Sequence, residues 1–200
     1  MSGFLSAVTL RGEHVVLEPL GMVHAAGLAE AVTDGDIHRL WFTGAPAPEE
    51  VVGYIAKAQA QAEAGTAQAF AVRRVADGQV LGSTRFCHAD AENRRLEIGY
   101  TWYAKRAQRT AVNTECKYLL LQHAFETLEA IAVELRTHWL NHRSRAAIER
   151  LGAKCDGVLR NHRRTPDGSL RDTVVYSIIA GEWPAVRQHL TFKLQQDFSS

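Results

Sequence analysis

The amino-acid sequence predicts an α/β (mixed) fold: a single domain over residues 1–200, with a mostly antiparallel central sheet of about six to seven strands flanked by helices. Three observations lead to this prediction. Strand-like segments from Gln68 onward are joined by short turns. An amphipathic pattern with helical spacing begins at Val112. The complete order of segments is β-α-α-β-β-β-α-β-α-β-β-α.

The first half of the chain contains one strand, two helices and a meander. Residues 14–20 are rich in β-branched side chains and predict the first strand. Residues 22–32 predict a helix, and a second helix begins at Pro48, a residue favoured in a first turn, and ends near Gly65. The meander follows, with strands at 69–75, 79–89 and 96–103 separated by ADG and DAENR turns.

The second half begins with the amphipathic helix. Its apolar positions recur at helical spacing and are Val112, Cys116, Leu119, Leu120, Ala124 and Leu128. A strand at 131–140 and a short helix at 143–153, ended by Gly152, come next. A hairpin then turns at TPDGS between strands 158–164 and 170–179, and residues 182–194 predict a terminal helix.

The overall composition excludes strong electrostatic targeting. The chain has 46% hydrophobic and 22% charged residues and a formal net charge of +1, so nothing draws the whole molecule to nucleic acid or membrane. One local alternative is a nucleic-acid surface on the last hairpin, although four arginines around one turn are typical of a solvated tip: Arg160, Arg163, Arg164 and Arg171. We expect no nucleic-acid partner.

The cysteines and the amino-terminal sequence indicate a cytoplasmic protein without a metal. Cys87, Cys116 and Cys155 are an odd number at wide spacing with no CxxC pair, which favours neither a disulfide framework nor a zinc site. The first residues lack a basic segment followed by an apolar one, and no apolar run reaches the length of a membrane span. We expect no membrane partner.

The stretch QRTAVNTECK, residues 108–117, is a candidate anion site. It lies between an aromatic strand and an amphipathic helix, and the amides at a helix N-terminus bind anions. Phosphate loops usually contain glycine, whereas Ala111 and Asn113 occupy the small positions here. Glu115 disfavours an anion unless it points away. The alternative is an ordinary capped helix start.

Three segments resemble one enzyme superfamily: LEIGYTWY, QRTAVNTE with KYLLLQHAFE, and NHRSRAAIERLGAKCDGVLR. They are similar to the GNAT superfamily of acyl-CoA-dependent N-acyltransferases, in its ribosomal-protein-alanine N-acetyltransferase (Rim-type) branch, and the resemblance covers almost the whole chain. It implies acetyl transfer from acetyl-CoA to a primary amine of a small molecule or a peptide or protein N-terminus, by direct attack in a ternary complex. The alternatives are a non-catalytic acyl-CoA-binding module and a transferase for a longer acyl-CoA such as succinyl-CoA.

The resemblance also implies which residues hold coenzyme A (CoA). An Asn/Thr-capped helix start would offer the amides of 109–114 to the pyrophosphate, Asn141 would bind the pantetheine arm, and Arg145 would reach the adenosine phosphates. A strand bulge would free backbone amides for the acyl group. The implied cofactor-binding residues are Thr101, Trp102, Tyr103, Gln108, Arg109, Thr110, Ala111, Val112, Asn113, Thr114, Asn141, Ser144 and Arg145.

The resemblance makes Glu97 the candidate general base, acting through water. Alternatively, Glu97 faces solvent or pairs with Arg94 or Arg85, and Asp172 or water alone is the base. Many GNAT enzymes have a tyrosine acid where this chain has Ile148, and Ser144 fits the serine that takes this role in the Rim-type branch. Ser144 fits equally well as a helix-start hydroxyl.

The implied acceptor pocket lies between the first two helices and the last hairpin, near the aromatic residues Trp41, Phe42, Tyr54 and Phe86. These side chains are alternatively ordinary core. No run of carboxylates indicates a polyamine or aminoglycoside acceptor. We expect a monomer or a homodimer.

Overall fold

An eight-stranded sheet forms the centre of the molecule in the computed structural model, which describes residues 4–165 and 167–196. The strands lie in the order β1-β2-β3-β4-β5-β6-β8-β7. Their bounds are β1 Leu10–Arg11, β2 Val15–Pro19, β3 Gln68–Arg74, β4 Val80–Asp90, β5 Arg95–Tyr103, β6 Ala132–His138, β7 Lys154–Arg164 and β8 Leu170–Ile179.

Helices cover both faces of the sheet, so the apolar side chains form two clusters. The larger cluster joins Phe70 and Phe86 of the sheet to Leu120 of α3 and Leu190 of α5. The smaller cluster packs α1 and α2 against the other face around Ala71. The helices are α1 Ala25–Thr33, α2 Val51–Glu63, α3 Ala111–Gln122, α4 His142–Glu149 and α5 Trp183–Gln196.

The central strands diverge, and this divergence creates the main cleft. Every strand pair is antiparallel except β5 with β6, which are parallel and matched at only three positions, from Arg95 opposite Ala132 to Glu97 opposite Glu134. Beyond Glu97, β6 remains paired with β8 as far as His138, whereas β5 has no partner on this side. The carboxyl-terminal half of β5 therefore exposes backbone groups to the cleft.

Helix α3 is anchored through a buried carboxylate. Glu115 accepts hydrogen bonds of 2.8 Å from the backbone N–H groups of Glu13, His14 and Val15. Gly12 is required beside it, because a Cβ there would lie 2.3 Å from Glu115 Cδ. Glu115 thus points to the β1–β2 turn and away from the candidate anion loop.

The predicted α/β (mixed) fold and the order of its main elements are confirmed. The prediction missed β1, a two-residue strand, and began β7 four residues late, because most side chains of this edge strand are exposed and lack the alternation that marks a half-buried strand. Among the described residues, no helix is both long and apolar enough to span a membrane.

Candidate active site

A cavity of about 990 Å³ occupies the cleft where β5 and β6 diverge. The lining comes from the loop before α3, from α4, from the segment between α1 and α2, from β4 to β6 and from the last hairpin. Among the described residues, Glu97 is the one acidic group in the lining. The basic groups are Arg109, Lys117, Arg136, Arg143, Arg150, Arg163 and Arg171. The cavity therefore favours anionic ligands.

Glu97 lies at the point of divergence. Its side chain is buried, with 7% of the residue exposed. Its Oε2 lies 2.9 Å from His88 Nδ1 and 3.4 Å from Arg136 Nε. Arg94 and Arg85, the partners considered from the sequence, instead pair with Glu129 and with Gln61. Glu97 is thus a buried carboxylate that faces the cavity and is linked through the half-exposed His88 to solvent.

A bulge in β5 follows Glu97. The register between β4 and β5 shifts between Ser83 and Arg85, and Tyr100 has a left-handed φ of 50°. The side chains of Trp102 and Tyr103 are buried. The backbone of this segment, rather than these two side chains, therefore faces a ligand.

Lys117 is a cavity residue that the sequence analysis did not identify. It is 5% exposed, and its Nζ donates to Thr101 Oγ1 at 2.6 Å and to Thr84 Oγ1 at 3.4 Å. Burial lowers its pKa from 10.5 to about 8. The position lies among the apolar residues of α3, so helical spacing alone assigns it to the core.

The loop before α3 has its left-handed residue at Arg109, with φ of 61°. Thr110 is the helix cap: its Oγ1 accepts from the Val112 N–H at 3.3 Å. Ala111 begins the helix, so it needs no glycine conformation. The cap is thus Thr110 and not the Asn113 and Thr114 of the expected Asn/Thr cap, and Asn113 lies inside the first turn, where it lines the cavity.

The other predicted loop residues divide between cavity and core. Gln108 lines the cavity; its Nε2 donates to Tyr103 O at 3.1 Å, and its Oε1 accepts from Arg143 Nη2 at 3.1 Å. Val112 and Thr114 are buried and do not line the cavity. Gln108 therefore ties α4 to the loop, while Val112 and Thr114 offer a ligand no side-chain contact.

Asn141 and Ser144 lie at the start of α4, and both line the cavity. Asn141 Oδ1 accepts from the Ser144 N–H at 3.0 Å and so caps the helix. The Ser144 hydroxyl makes no hydrogen bond within the described part of the chain. Because Asn141 takes the capping role, Ser144 has a half-buried hydroxyl that is available to a ligand.

Comparison with known proteins identifies the family. The model of the Acetyltransferase (GNAT) domain matches residues 14–154, well over half of the chain. The chain belongs to the GNAT acetyltransferase family. The family makes it an acetyltransferase enzyme that uses an acyl-CoA donor, and the predicted superfamily is confirmed.

Three relatives of this GNAT acetyltransferase illustrate the similarity. YdaF of Bacillus subtilis (strain 168), provisionally named a ribosomal N-acetyltransferase, is 35% identical over 107 residues, 54% of this chain. The match spans 57% of YdaF, a little over half its length. A GCN5-related N-acetyltransferase from Brucella melitensis has a TM-score of 0.84 at 28% identity, covering 95% of this chain and 86% of that one. Mycobacterium smegmatis RimJ in complex with CoA-disulfide has a TM-score of 0.76 at 24% identity, covering 94% and 93%.

Arg145 of this GNAT acetyltransferase does not line the cavity. Its Nε donates to Tyr176 Oη at 3.1 Å, and its guanidinium lies 5.3 Å from the centre of the Trp139 ring. Arg143 and Arg150 line the cavity instead. Arg143 and Arg145 differ in this respect because residues two apart on a helix point in different directions.

Of the four aromatic residues expected to form the pocket for the acceptor amine, one lies in the cavity lining. Phe42 lines the cavity, and Trp41 packs edge-on against it at 5.5 Å but is 56% exposed. Tyr54 lies outside the cavity lining, and its Oη donates a hydrogen bond of 3.2 Å to Ser83 Oγ. Phe86 is 1% exposed and packs against Phe70, so it belongs to the core as a strand residue facing α3.

The remaining reactive side chains are engaged elsewhere. Asp172, the alternative base, accepts from Arg160 Nε at 2.6 Å and from the Asn161 N–H at 2.7 Å, and it does not line the cavity. Cys116 is fully buried, and burial raises its pKa to about 12. Neither group is placed for catalysis.

Cys87, His88 and Glu97 have potential metal-ligand atoms within 4.8 Å of one another. Burial and the neighbouring Glu97 raise the pKa of the Cys87 thiol, which disfavours the thiolate that a metal needs. Arg136 also occupies the Glu97 carboxylate. The group therefore fits a hydrogen-bonded pair and a buried thiol better than a metal centre.

Proposed function

We propose that this acetyltransferase transfers the acetyl group of acetyl-CoA directly to a primary amine, with both substrates in the cavity between β5 and β6. The amine belongs to a small molecule or to a peptide or protein N-terminus. The observation that carries the proposal is the position of Glu97, a buried carboxylate at the point where the strands separate and the cavity begins.

Glu97 is the proposed general base. It takes a proton from the acceptor ammonium, directly or through water, and the free amine attacks the thioester carbonyl carbon. His88, which is half-exposed and 2.9 Å from the carboxylate, passes the proton to solvent. Arg136 keeps the carboxylate oriented from the other side.

Acetyl-CoA is proposed to lie with its phosphates at the α3 end of the cavity. The amides that follow Gln108 open onto this end, and Arg109, Arg143 and Arg150 supply positive charge there. The acyl group then lies along the bulged half of β5, where unpaired backbone N–H groups receive the carbonyl oxygen. The CoA-disulfide held by RimJ supports this choice of cofactor.

Ser144 is the proposed proton donor to the leaving thiolate. The nitrogen of the tetrahedral intermediate loses a second proton to water, the intermediate collapses when its C–S bond breaks, and the leaving sulfur needs a proton. Ile148 also lines the cavity and has no proton to give, whereas the Ser144 hydroxyl is uncommitted. The hydroxyl recovers its proton from solvent.

Direct transfer is favoured over an acetyl-enzyme. No cysteine lines the cavity among the described residues, and burial holds Cys116 in its unreactive thiol form. The name of YdaF supports a peptide or protein N-terminus as acceptor, alongside small amines.

Replacement of Glu97 by Gln tests the proposal. We expect kcat for acetyl transfer to fall by about 10²-fold or more, because general-base catalysis supplies factors of that order. The dissociation constant for CoA, measured by calorimetry, should stay within about threefold, since Glu97 lies away from the phosphate end. The control is Glu129→Gln, a surface carboxylate 70% exposed in its ion pair with Arg94. Full activity in Glu97→Gln would refute the assigned base.

A further inference from the structure

Two arginines of the last hairpin lie opposite each other in the sheet and line the cavity. Arg163 of β7 and Arg171 of β8 are direct cross-strand partners, and both line the cavity. Like charges placed opposite each other destabilise a sheet. Arg171 is half-buried, and its Nε is buried without a hydrogen-bond partner. Arg163 is exposed, so it is the half-buried guanidinium of Arg171 that lacks protein acceptors while a like charge lies opposite it.

No acidic side chain within the described ranges, 4–165 and 167–196, pairs with either arginine. Neither guanidinium forms a hydrogen bond or an ion pair with these residues. Asp172 follows Arg171 in sequence but points to the other face of β8, where it binds Arg160. Glu97 is close enough to interact electrostatically with Arg171 but is bonded to His88 and Arg136.

The electrostatic surroundings agree with an uncompensated pair. Burial lowers the pKa of Arg171, and the positive charge of Arg163 lowers it further. Glu97 and Tyr100 oppose this shift. Arg136 contributes a further positive charge on the same wall of the cavity. A ligand with negatively charged oxygens removes this repulsion and supplies the missing acceptors.

We propose that Arg163 and Arg171 bind an anionic oxygen group on the acceptor, so that the enzyme selects primary amines that also carry a carboxylate or a phosphate. The inference rests on the proposed function, because the amine must reach the same Glu97. Guanidinium groups present paired N–H donors that match the two oxygens of such groups. Arg163, Arg171 and Glu97 line the same cavity, so an acceptor whose amine reaches Glu97 shares that cavity with the two arginines.

Matched pairs of acceptors test the selection. O-phosphoethanolamine is compared with ethanolamine, and a peptide beginning with Asp is compared with the same peptide beginning with Asn. The first pair tests phosphate and the second tests carboxylate. We expect the anionic member of at least one pair to have a kcat/KM about tenfold or more above its neutral partner. The identity of the preferred pair assigns the anion.

Arg171→Gln and Arg163→Gln locate the preference. Each is expected to lower kcat/KM for the anionic acceptor by about tenfold or more, mainly through KM, and to change the neutral acceptor by less than about threefold. Arg164→Gln is the control, since Arg164 is an exposed neighbour on the same strand outside the cavity lining. Tm should stay unchanged or rise in Arg171→Gln, because the substitution removes a like-charge contact.

The outcomes separate this inference from the proposed function. Turnover of neutral and anionic amines at equal kcat/KM overturns the inference and leaves the proposed function standing. Equal losses for both acceptors together with a clearly lower Tm in Arg171→Gln also overturn it, since the arginine then serves the fold. Absence of turnover with every amine, despite CoA binding, refutes the proposed function itself.

Discussion

At the scale of the residue, Lys117 is a buried ionisable side chain in the lining of the cavity. Its ammonium group has two hydroxyl neighbours, on Thr84 and Thr101, and no carboxylate among its hydrogen-bond partners. Burial lowers its pKa to about 8. Lys117 lines the cavity beside the bulged strand, so an anionic ligand bound there would lie near its positive charge, and burial of that charge costs folding stability.

Replacement of Lys117 by Met measures that cost. Between pH 8 and 10.5 the unfolded chain binds the lysine proton more tightly than the folded chain. The free energy of unfolding of the native protein should therefore rise with pH across this window, by at most about 3 kcal/mol. Lys117→Met should lack this rise. Urea unfolding at several pH values measures both, with the exposed Lys57→Met as control. Identical pH profiles for the native protein and Lys117→Met would contradict the assignment.

Sequence reasoning found some site residues and missed others for physical reasons. Glu97, Ser144 and Asn141 stand in motifs of fixed spacing, and the structure brings all three to the cavity. His88 and Arg136 complete the surroundings of Glu97 from other strands, and no local pattern in the sequence indicates such pairing. Contacts between side chains of neighbouring strands can be predicted only once the register of the sheet is known.

At the scale of the element, the start of α3 forms a helix end in the cavity wall without glycine. The left-handed conformation falls at Arg109, and Thr110 closes the helix end. Glu115 holds the helix against the β1–β2 turn through three backbone hydrogen bonds. Arg109, Thr110 and Asn113 therefore line the cavity from a fixed helix end.

Ala111→Gly tests whether this helix start is already competent. Since Ala111 begins the helix, glycine should lower the free energy of unfolding by roughly 0.5–1 kcal/mol through its greater backbone entropy. CoA affinity, measured by calorimetry, should not improve. The comparison variant is Arg109→Gly, which places glycine at the left-handed position. A large gain in CoA affinity for Ala111→Gly would show that the native loop obstructs the cofactor.

Element boundaries were predictable where turn residues mark the ends of a strand. The strands of the meander are buried over most of their length, and their bounds agree with the sequence pattern within one residue. α3 was predicted to continue to Leu128, but it ends at Gln122 and passes into a π-helical turn over His123–Thr127. The apolar spacing continues through that turn, so sequence periodicity cannot reveal the change in hydrogen bonding.

At the scale of the whole molecule, the divergence of β5 and β6 brings the parts of the site together. Three paired positions hold the strands at Glu97 and Glu134, and the cavity opens beyond them. The loop before α3, α4 and the last hairpin all contribute to its lining. The order of segments in the sequence predicted the sheet. The cavity depends on the residue at which β5 and β6 cease to pair, and no single segment of the sequence encodes that position.

The central claim is that acetyl-CoA and the amine occupy this cavity together and react directly. The most direct test is a matrix of initial rates in which both substrates are varied. Direct transfer in a ternary complex predicts double-reciprocal lines that intersect, because each substrate affects the apparent kcat/KM of the other. Parallel lines, the pattern of a covalent acetyl-enzyme released before the amine binds, would contradict the account.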